Sequence, residues 1–368
     1  MKKTTLFGVV AIVALVLAVL GGRSSSGQDK QDKYTLQIPG GLAFSEVRGY
    51  EQWQVVGPSL TEAANVIRVI VANPVMIKAY QEGIPGNGKP FPDGSKIVKI
   101  EWKPKKLTDP PFSAKTPDTV PGDLAQVEFI VKDSKRFSDT HGWGYAMFDY
   151  DTASGKFAPA TKASKPPVNN DAGRSQVSIR RLSRIEEPYE TVCFWLVAAV
   201  VTVAGILAFT PRASGHPDEE VSPIYGVTIP PGYRDWQLIA VKQLHFAGKG
   251  EQLRAQVGND IAIKAFKEGT LPFPDGAIIA ALHWTQVASE DNNKVLDGPF
   301  PGTKSFVIGS RVNVQFMVKD SKKYAATGGW GFADFTDRKP GDKALHETCF
   351  PCHIPAKDHD YVYTRYAP

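Results

Sequence analysis

The chain has 368 residues, 42% hydrophobic and 22% charged, with a formal net charge of +5. That is a globular composition with room for two domains, and it excludes a disordered or fibrous chain. Lys and Arg are interleaved with Asp and Glu, which leaves no nucleic-acid footprint, and three Cys exclude a disulfide scaffold.

The first element is apolar. Lys2 and Lys3 precede an uncharged stretch from Thr4 to Gly22, of which Leu6–Leu20 is almost wholly apolar. A basic start followed by a short apolar stretch predicts a signal peptide or N-terminal anchor over 1–22. No Cys follows it, so a lipoprotein is excluded. Ala18-Val19-Leu20 makes a poor cleavage site. A polar linker is predicted over 23–39, a first domain over 40–165 and a second linker over 166–192.

The second apolar run is Cys193–Phe209, uncharged from Thr191 to Pro211. Over 193–209 it predicts a transmembrane helix or internal signal anchor, with a buried core helix as the alternative. Arg180, Arg181 and Arg184 precede it, so the positive-inside rule places everything after Phe209 outside the cytoplasm. The first run places everything after Gly22 there too. Two successive spans of one chain cannot both be so oriented. A linker over 210–224 leads to a second domain over 225–368.

The two domains are copies of one another. Gly49-Tyr50-x-x-Trp53-Gln54 recurs as Gly232-Tyr233-x-x-Trp236-Gln237, and Ile77-Lys78-Ala79-Tyr80-x-Glu82-Gly83 as Ile263-Lys264-Ala265-Phe266-x-Glu268-Gly269. Phe91-Pro92-Asp93-Gly94 recurs as Phe273-Pro274-Asp275-Gly276, and Val131-Lys132-Asp133-Ser134-Lys135 as Val318-Lys319-Asp320-Ser321-Lys322. Gly142-Trp143-Gly144-Tyr145-Ala146 recurs as Gly329-Trp330-Gly331-Phe332-Ala333. The order is kept and the offset stays between 182 and 187 residues. The chain is a tandem duplication, each copy behind its own apolar segment.

Within a copy, Asn73–Gly83 and Asp260–Gly269 predict one helix ending at Gly. Ile97–Ile100 and Ile278–Leu282 predict short strands. Gln126–Val131 and Val312–Val318 alternate and predict half-buried strands. Pro-Asp-Gly is a turn signal. The expected fold class is α+β: two repeats of a mainly antiparallel β-sheet domain with a few helices.

Only the second copy contains Cys349-Phe350-Pro351-Cys352-His353. C-x-x-C-H is the attachment signature of c-type haem. Cys349 and Cys352 would add to the two vinyl groups, and His353 would lie under the iron as proximal ligand. Three other readings stay open. A zinc site would need His346 and His359 to complete it, since the third Cys, Cys193, lies in the apolar run. A redox CxxC expects a βαβ context that the sequence lacks. A plain structural disulfide is the third. The first copy has no Cys before Cys193 and no His between His141 and His216. It reads Asn169–Val177 where the motif should fall, so it is haemless.

The sixth iron position is expected to be open or weakly held. Met317 reads as core or sheet-face packing. His346 and His359 lie too near His353 to reach the opposite face. His245 and His283 read as surface or sheet residues. Glu268 and Asp275 are acid–base candidates set against a helix-end carboxylate and a turn Asp, and Asp93 repeats the turn Asp in the haemless copy.

These motifs together resemble the cytochrome P-460 family, which includes the c′-β cytochromes. The matching residues are Tyr233-x-x-Trp236, Phe273–Gly276, Val318–Tyr324, the Trp330 segment, Cys349–His353 and Tyr361-Val362-Tyr363-Thr364-Arg365-Tyr366. The resemblance covers about 225–368, and in degenerate form about 40–160. It implies a mainly antiparallel sheet, often in a homodimer, and one haem c in the second copy. It also implies hydroxylamine oxidation or nitric oxide binding at a five-coordinate iron. Cys349 and Cys352 match the thioether residues, His353 the proximal ligand and Arg254 a distal-pocket arginine. The hydroxylamine oxidases of the family cross-link a Lys to the porphyrin five residues after the Gly of F-x-D-G. That position is Ala281 here, and Lys99 in the haemless copy.

The expected function is therefore a membrane-anchored, extracytoplasmic (periplasmic) haem protein that binds small nitrogen-oxide ligands or passes electrons to a redox partner. A hydroxylamine-oxidising enzyme is the alternative, weakened by Ala281. A haemless binding or structural module is the third reading. The first copy is either a remnant, with Val177 marking the former start of the downstream protein, or a docking domain that pairs with the second copy as two subunits would.

Overall fold

In the computed structural model, residues 31–39, 41–62, 64–107, 118–160, 220–246, 250–297, 301–302 and 304–367 are described. Both apolar runs, 1–22 and 193–209, lie outside the described residues, as does the linker over 166–192. No described helix is long and apolar enough to cross a membrane.

The first copy runs β1 (Gln54–Thr61), β2 (Val66–Ala72), α1 (Pro74–Gln81), β3 (Lys96–Leu107), β4 (Asp118–Lys132), β5 (Trp143–Asp151) and β6 (Lys156–Pro159). The second runs β7 (Gln237–Phe246), β8 (Gly250–Gly258), α2 (Asp260–Glu268), β9 (Ile278–Ala288), α3 (Glu290–Leu296), β10 (Ser305–Lys319), β11 (Trp330–Thr336), β12 (Lys339–Pro340) and α4 (Lys343–His353). The fold is mainly antiparallel β-sheet with few helices, in two repeat-like halves.

One Asn starts each repeat helix. Asn73 Oδ1 accepts from Met76 N at 3.1 Å and Lys96 N at 3.0 Å; Asn259 Oδ1 accepts from Ala262 N and Ile278 N, both at 3.0 Å. The same oxygen thus caps the helix and pins the next strand. Helix α2 stops at Gly269, whose φ of 66° is left-handed.

The strands are longer than their alternating stretches predict, because each long strand serves different neighbours along its length. Residues 126–132 of β4 pair with β5, while Thr119 pairs with Gln243 of β7. Likewise Val314–Lys319 of β10 pair with β11, while Ser305–Val307 pair with Thr61–Ser59 of β1. Bulges interrupt β3–β4 and β9–β10 pairing between these halves, which re-aims each strand.

All twelve strands form one sheet, and β1-β2-β3-β4-β7-β8-β9-β10 close on themselves through β10–β1. The two junctions between copies are equivalent. By the repeat offsets, Thr119 corresponds to Phe306 and Gln243 to Leu60, and Leu60 pairs with Phe306. This is the self-complementary pattern of a twofold interface, made here within one chain. The copies approach closely: a Cβ on Gly57 of β1 would lie 2.7 Å from Ile308 Cδ1 of β10.

The repeated blocks converge on one corner of each copy. Asp93 accepts from Ser134 N at 2.8 Å and Ser134 Oγ at 2.6 Å; Asp275 accepts from Ser321 N and Oγ, both at 2.7 Å. Gly142 and Gly329 take φ of 81° and 84°. Gly144 and Gly331 lie under the rings of Phe137 and Tyr324, where a Cβ would come within 2.4 and 2.3 Å. One apolar core spans both copies, with Trp102, Trp143 and Trp330 fully buried.

Candidate functional site

Helix α4 carries the cysteine motif. Asp342 caps it by accepting from Leu345 N at 2.8 Å. Both Cys349 and Cys352 are free thiols. With His353 they line one cavity of about 340 Å³. Burial first, then Asp334 and Cys352, push the Cys349 thiol up to about 11.

His353 is fixed from behind. Its Nδ1 lies 2.7 Å from the Tyr361 carbonyl, so Nδ1 carries the proton and Nε2 keeps its lone pair. Burial lowers the His353 pKa, the Tyr361 carbonyl raises it and the Arg254 charge lowers it, with burial the largest effect. The neutral ring packs against Phe332 and Tyr363 at centroid distances of 5.0 and 5.6 Å. The loop presenting Tyr361 is tied down: Asp360 and Tyr361 both have positive φ, of 52° and 64°. Lys319 Nζ lies 2.8 Å from both Asp360 carboxylate oxygens, Asp360 Oδ2 accepts from Phe273 N at 2.8 Å, and the Asp360 carbonyl accepts from Trp330 Nε1 at 2.8 Å.

The cavity is also lined by Arg254, His283, Lys242, Met317 and Ala281, and by Asp118 of the first copy. Arg254 Nε and His283 Nε2 are buried with no hydrogen-bond partner. Burial, then the Arg254 charge, hold His283 well below the usual imidazole range despite Gln315, so it is neutral. Lys242, 4% exposed, is pushed down to about 7 by burial and then by Arg254, with Asp118 opposing. Arg254 is lowered to about 10 by burial, again with Asp118 opposing.

Of the residues singled out from the sequence, Cys349, Cys352, His353 and Arg254 meet at this cavity. His346 does not. It is fully buried, its Nδ1 lies 2.8 Å from the Asp342 carbonyl and its Nε2 accepts from Asp334 N at 3.3 Å, so neither nitrogen can ligate. His359 is exposed. Among the described residues no three His, Cys, Asp or Glu are placed to hold a metal ion, so the zinc reading fails with it. Asp275 is the turn residue described above, and neither it nor Glu268 lines the cavity. His245 pairs with Glu251 at 3.0 Å.

Four lining residues are not placed at the cavity by the sequence. Met317 and His283 read as sheet residues because their strands alternate, and alternation does not say which face meets a cavity. Asp118 and Lys242 carry no local signal at all; only the junction between copies brings them together.

The first copy carries ion pairs at positions whose counterparts line the cavity in the second. Arg68, Lys99, Glu101 and Glu128 are the repeat counterparts of Arg254, Ala281, His283 and Gln315. Arg68 pairs with Glu101 at 3.1 Å, Lys99 with Glu128 at 2.8 Å, and Gln126 donates to Glu101 at 2.7 Å. Arg68 Nε nonetheless stays buried without a hydrogen-bond partner, as Arg254 Nε does in the second copy. In the second copy Arg254 and His283 line the cavity beside two thiols and a histidine with a free Nε2. This donor set fits a covalently held haem: two thiols three residues apart on one helix, and an imidazole with the required tautomer.

The family model for Cytochrome P460 matches residues 47–168 and 230–364, once in each copy and over more than half of the chain. No curated protein matches the chain.

Proposed function

Since the chain belongs to the cytochrome P460 family, whose members carry c-type haem, we propose that the second copy is a haem c protein that binds a small ligand at the iron. The observation that carries this is the meeting of Cys349, Cys352 and a His353 with free Nε2 at one cavity. Cys349 and Cys352 would hold the haem and His353 would be its proximal ligand. When bound, the haem supplies an iron that takes a small ligand or exchanges an electron. The protein's own part is to fix the His353 ring through Tyr361, keep the pocket largely apolar, and present Arg254 Nε to the ligand side.

Ala281 lines the cavity where the family's oxidases place a cross-linking lysine, and an alanine has no nucleophile. Ligand binding or electron transfer is therefore favoured over hydroxylamine oxidation. Nitric oxide is the ligand class that the family resemblance suggests.

Both copies share one closed sheet, which supports a reading with both in the same compartment. A single membrane crossing by 193–209 between them is incompatible with that sheet. This argues for an extracytoplasmic location of both copies, where c-type haem is attached, and for pairing of the two copies as the role of the first.

The test is to express the full chain with haem-attachment machinery and record the reduced spectrum after acid–acetone extraction. Haem that stays with the protein and shows an ordinary c-type spectrum is expected. Haem that is absent or extractable would overturn the reading. A strongly red-shifted Soret band would mean another residue replaces the missing lysine, and oxidase chemistry would return.

A further inference from the structure

We propose that the haemless first copy is a working part of the second copy's site: its Asp118 enters the ligand pocket and sets the pocket's charge and the placement of Lys242 and Arg254. The inference rests on the haem reading above and goes beyond it.

Asp118 opens β4, and β4 reaches the second copy at Thr119↔Gln243. Thr119 Oγ1 donates to Gln243 Oε1 at 3.1 Å across this junction. That contact carries Asp118 into the wall of the cavity that holds Cys349, Cys352 and His353. Its Oδ2 lies 3.4 Å from Lys242 Nζ, and its Oδ1 lies 3.4 Å from the His245 backbone nitrogen. Both Asp118 and Lys242 are buried, at 8% and 4% exposure.

The duplication supplies an internal control. The second junction has the same strand geometry. There the counterparts of Asp118 and Lys242 are Ser305 and Ser59. Ser305 Oγ sits 3.4 Å from Thr61 Oγ1, an uncharged contact. Strand pairing between copies therefore does not require the ion pair. Among the described residues this charged pair stands at the junction that forms the pocket wall, and two serines take its place at the other.

The chemistry follows from the charges. Without Asp118 the pocket wall loses its carboxylate and keeps the Arg254 cation, while Lys242, already pushed down to about 7, is lowered further; the pocket still becomes more positive, with neutral His283 beside it. A buried carboxylate 3.4 Å from Lys242 offsets one positive charge of the wall. It tunes the pocket away from tight capture of anions and towards neutral ligands, while Arg254 Nε stays free to donate. Asp118 acts through Lys242 and Arg254 and is a positioning residue.

The test uses the full-length holoprotein in its ferric form. Azide is the anionic probe and imidazole the neutral one, each titrated by the Soret shift. Asp118→Asn is expected to tighten azide binding about three- to tenfold, as removal of one nearby charge at an intermediate dielectric requires. Imidazole affinity should stay within about twofold. Lys242→Met should move azide affinity the opposite way. Ser305→Ala, at the other junction, should move neither. Opposite signs for two variants of one ion pair are not what mere loosening of the junction gives. If azide and imidazole affinities move together, or Asp118→Asn moves neither, the proposal is overturned while the haem reading stands. A full chain without covalent haem removes both.

Discussion

Lys319 and Lys132 occupy the same place in the repeated Val-Lys-Asp-Ser-Lys block but have different consequences. Lys319 Nζ sits 2.8 Å from both oxygens of Asp360 and 3.0 Å from the Gly328 carbonyl, with the two side chains 5% and 8% exposed. Lys319→Met keeps the length and removes the charge. Asp360 is then a buried carboxylate with one backbone donor left, Phe273 N. Breaking a buried pair from one side costs about 3–5 kcal/mol, a large fraction of the ~5–15 kcal/mol that holds a typical domain. Lys132 Nζ donates to the His141 carbonyl at 2.7 Å, and Lys132→Met should cost about 1 kcal/mol. Guanidinium unfolding of the holoprotein, followed by far-ultraviolet circular dichroism, measures both. Lys319→Met with Asp360→Asn should recover much of the loss, because no buried charge is then stranded and Asn tolerates the positive φ at 360. The Lys319→Met variant should also disturb the His353 tautomer, seen as a changed reduction potential, because Asp360 holds the loop that presents the Tyr361 carbonyl. Equal losses for Lys319→Met and Lys132→Met would refute the reasoning.

Lys242 gives a pH dependence. Its folded pKa is lowered to about 7 from 10.5, so between those values the unfolded chain binds the extra proton. Its contribution to stability therefore rises with pH from about 7 to about 10.5 and is least favourable below 7. Lys242→Met should remove that part of the rise in melting temperature between pH 6 and pH 9, and an unchanged rise would contradict the assignment. Gly331→Ala puts a Cβ within 2.3 Å of the Tyr324 ring, whose hydroxyl is held by the Tyr225 carbonyl at 3.0 Å. It should cost about 1–3 kcal/mol, and Gly144→Ala under Phe137 a similar amount; a neutral result at either would discount the ring contact. Topology reporters inserted at residues 166 and 215 should both report the extracytoplasmic side, and opposite sides would exclude the shared sheet in the cell.

Much of the chain was legible before any tertiary structure, for a definite reason. The five repeated blocks, the repeat helices ending at Gly, the Pro-Asp-Gly turns and Cys349–His353 are all set by chemistry within a few residues. A capping oxygen reaches its donor three residues on, and two thiols three residues apart lie on one face of any helix. What a strand pairs with is not local. Alternation is the same whether β4 meets β5, β3 or β7, so the closed sheet and its two equivalent junctions are not written in any window of sequence. His346 looked free because nothing near it in sequence shows that the Asp334 amide donates to it. Met317 and His283 looked ordinary because period two assigns a face without saying what the face meets. Asp118 and Lys242 stand 124 residues apart and become neighbours only when two copies of one fold close a single sheet.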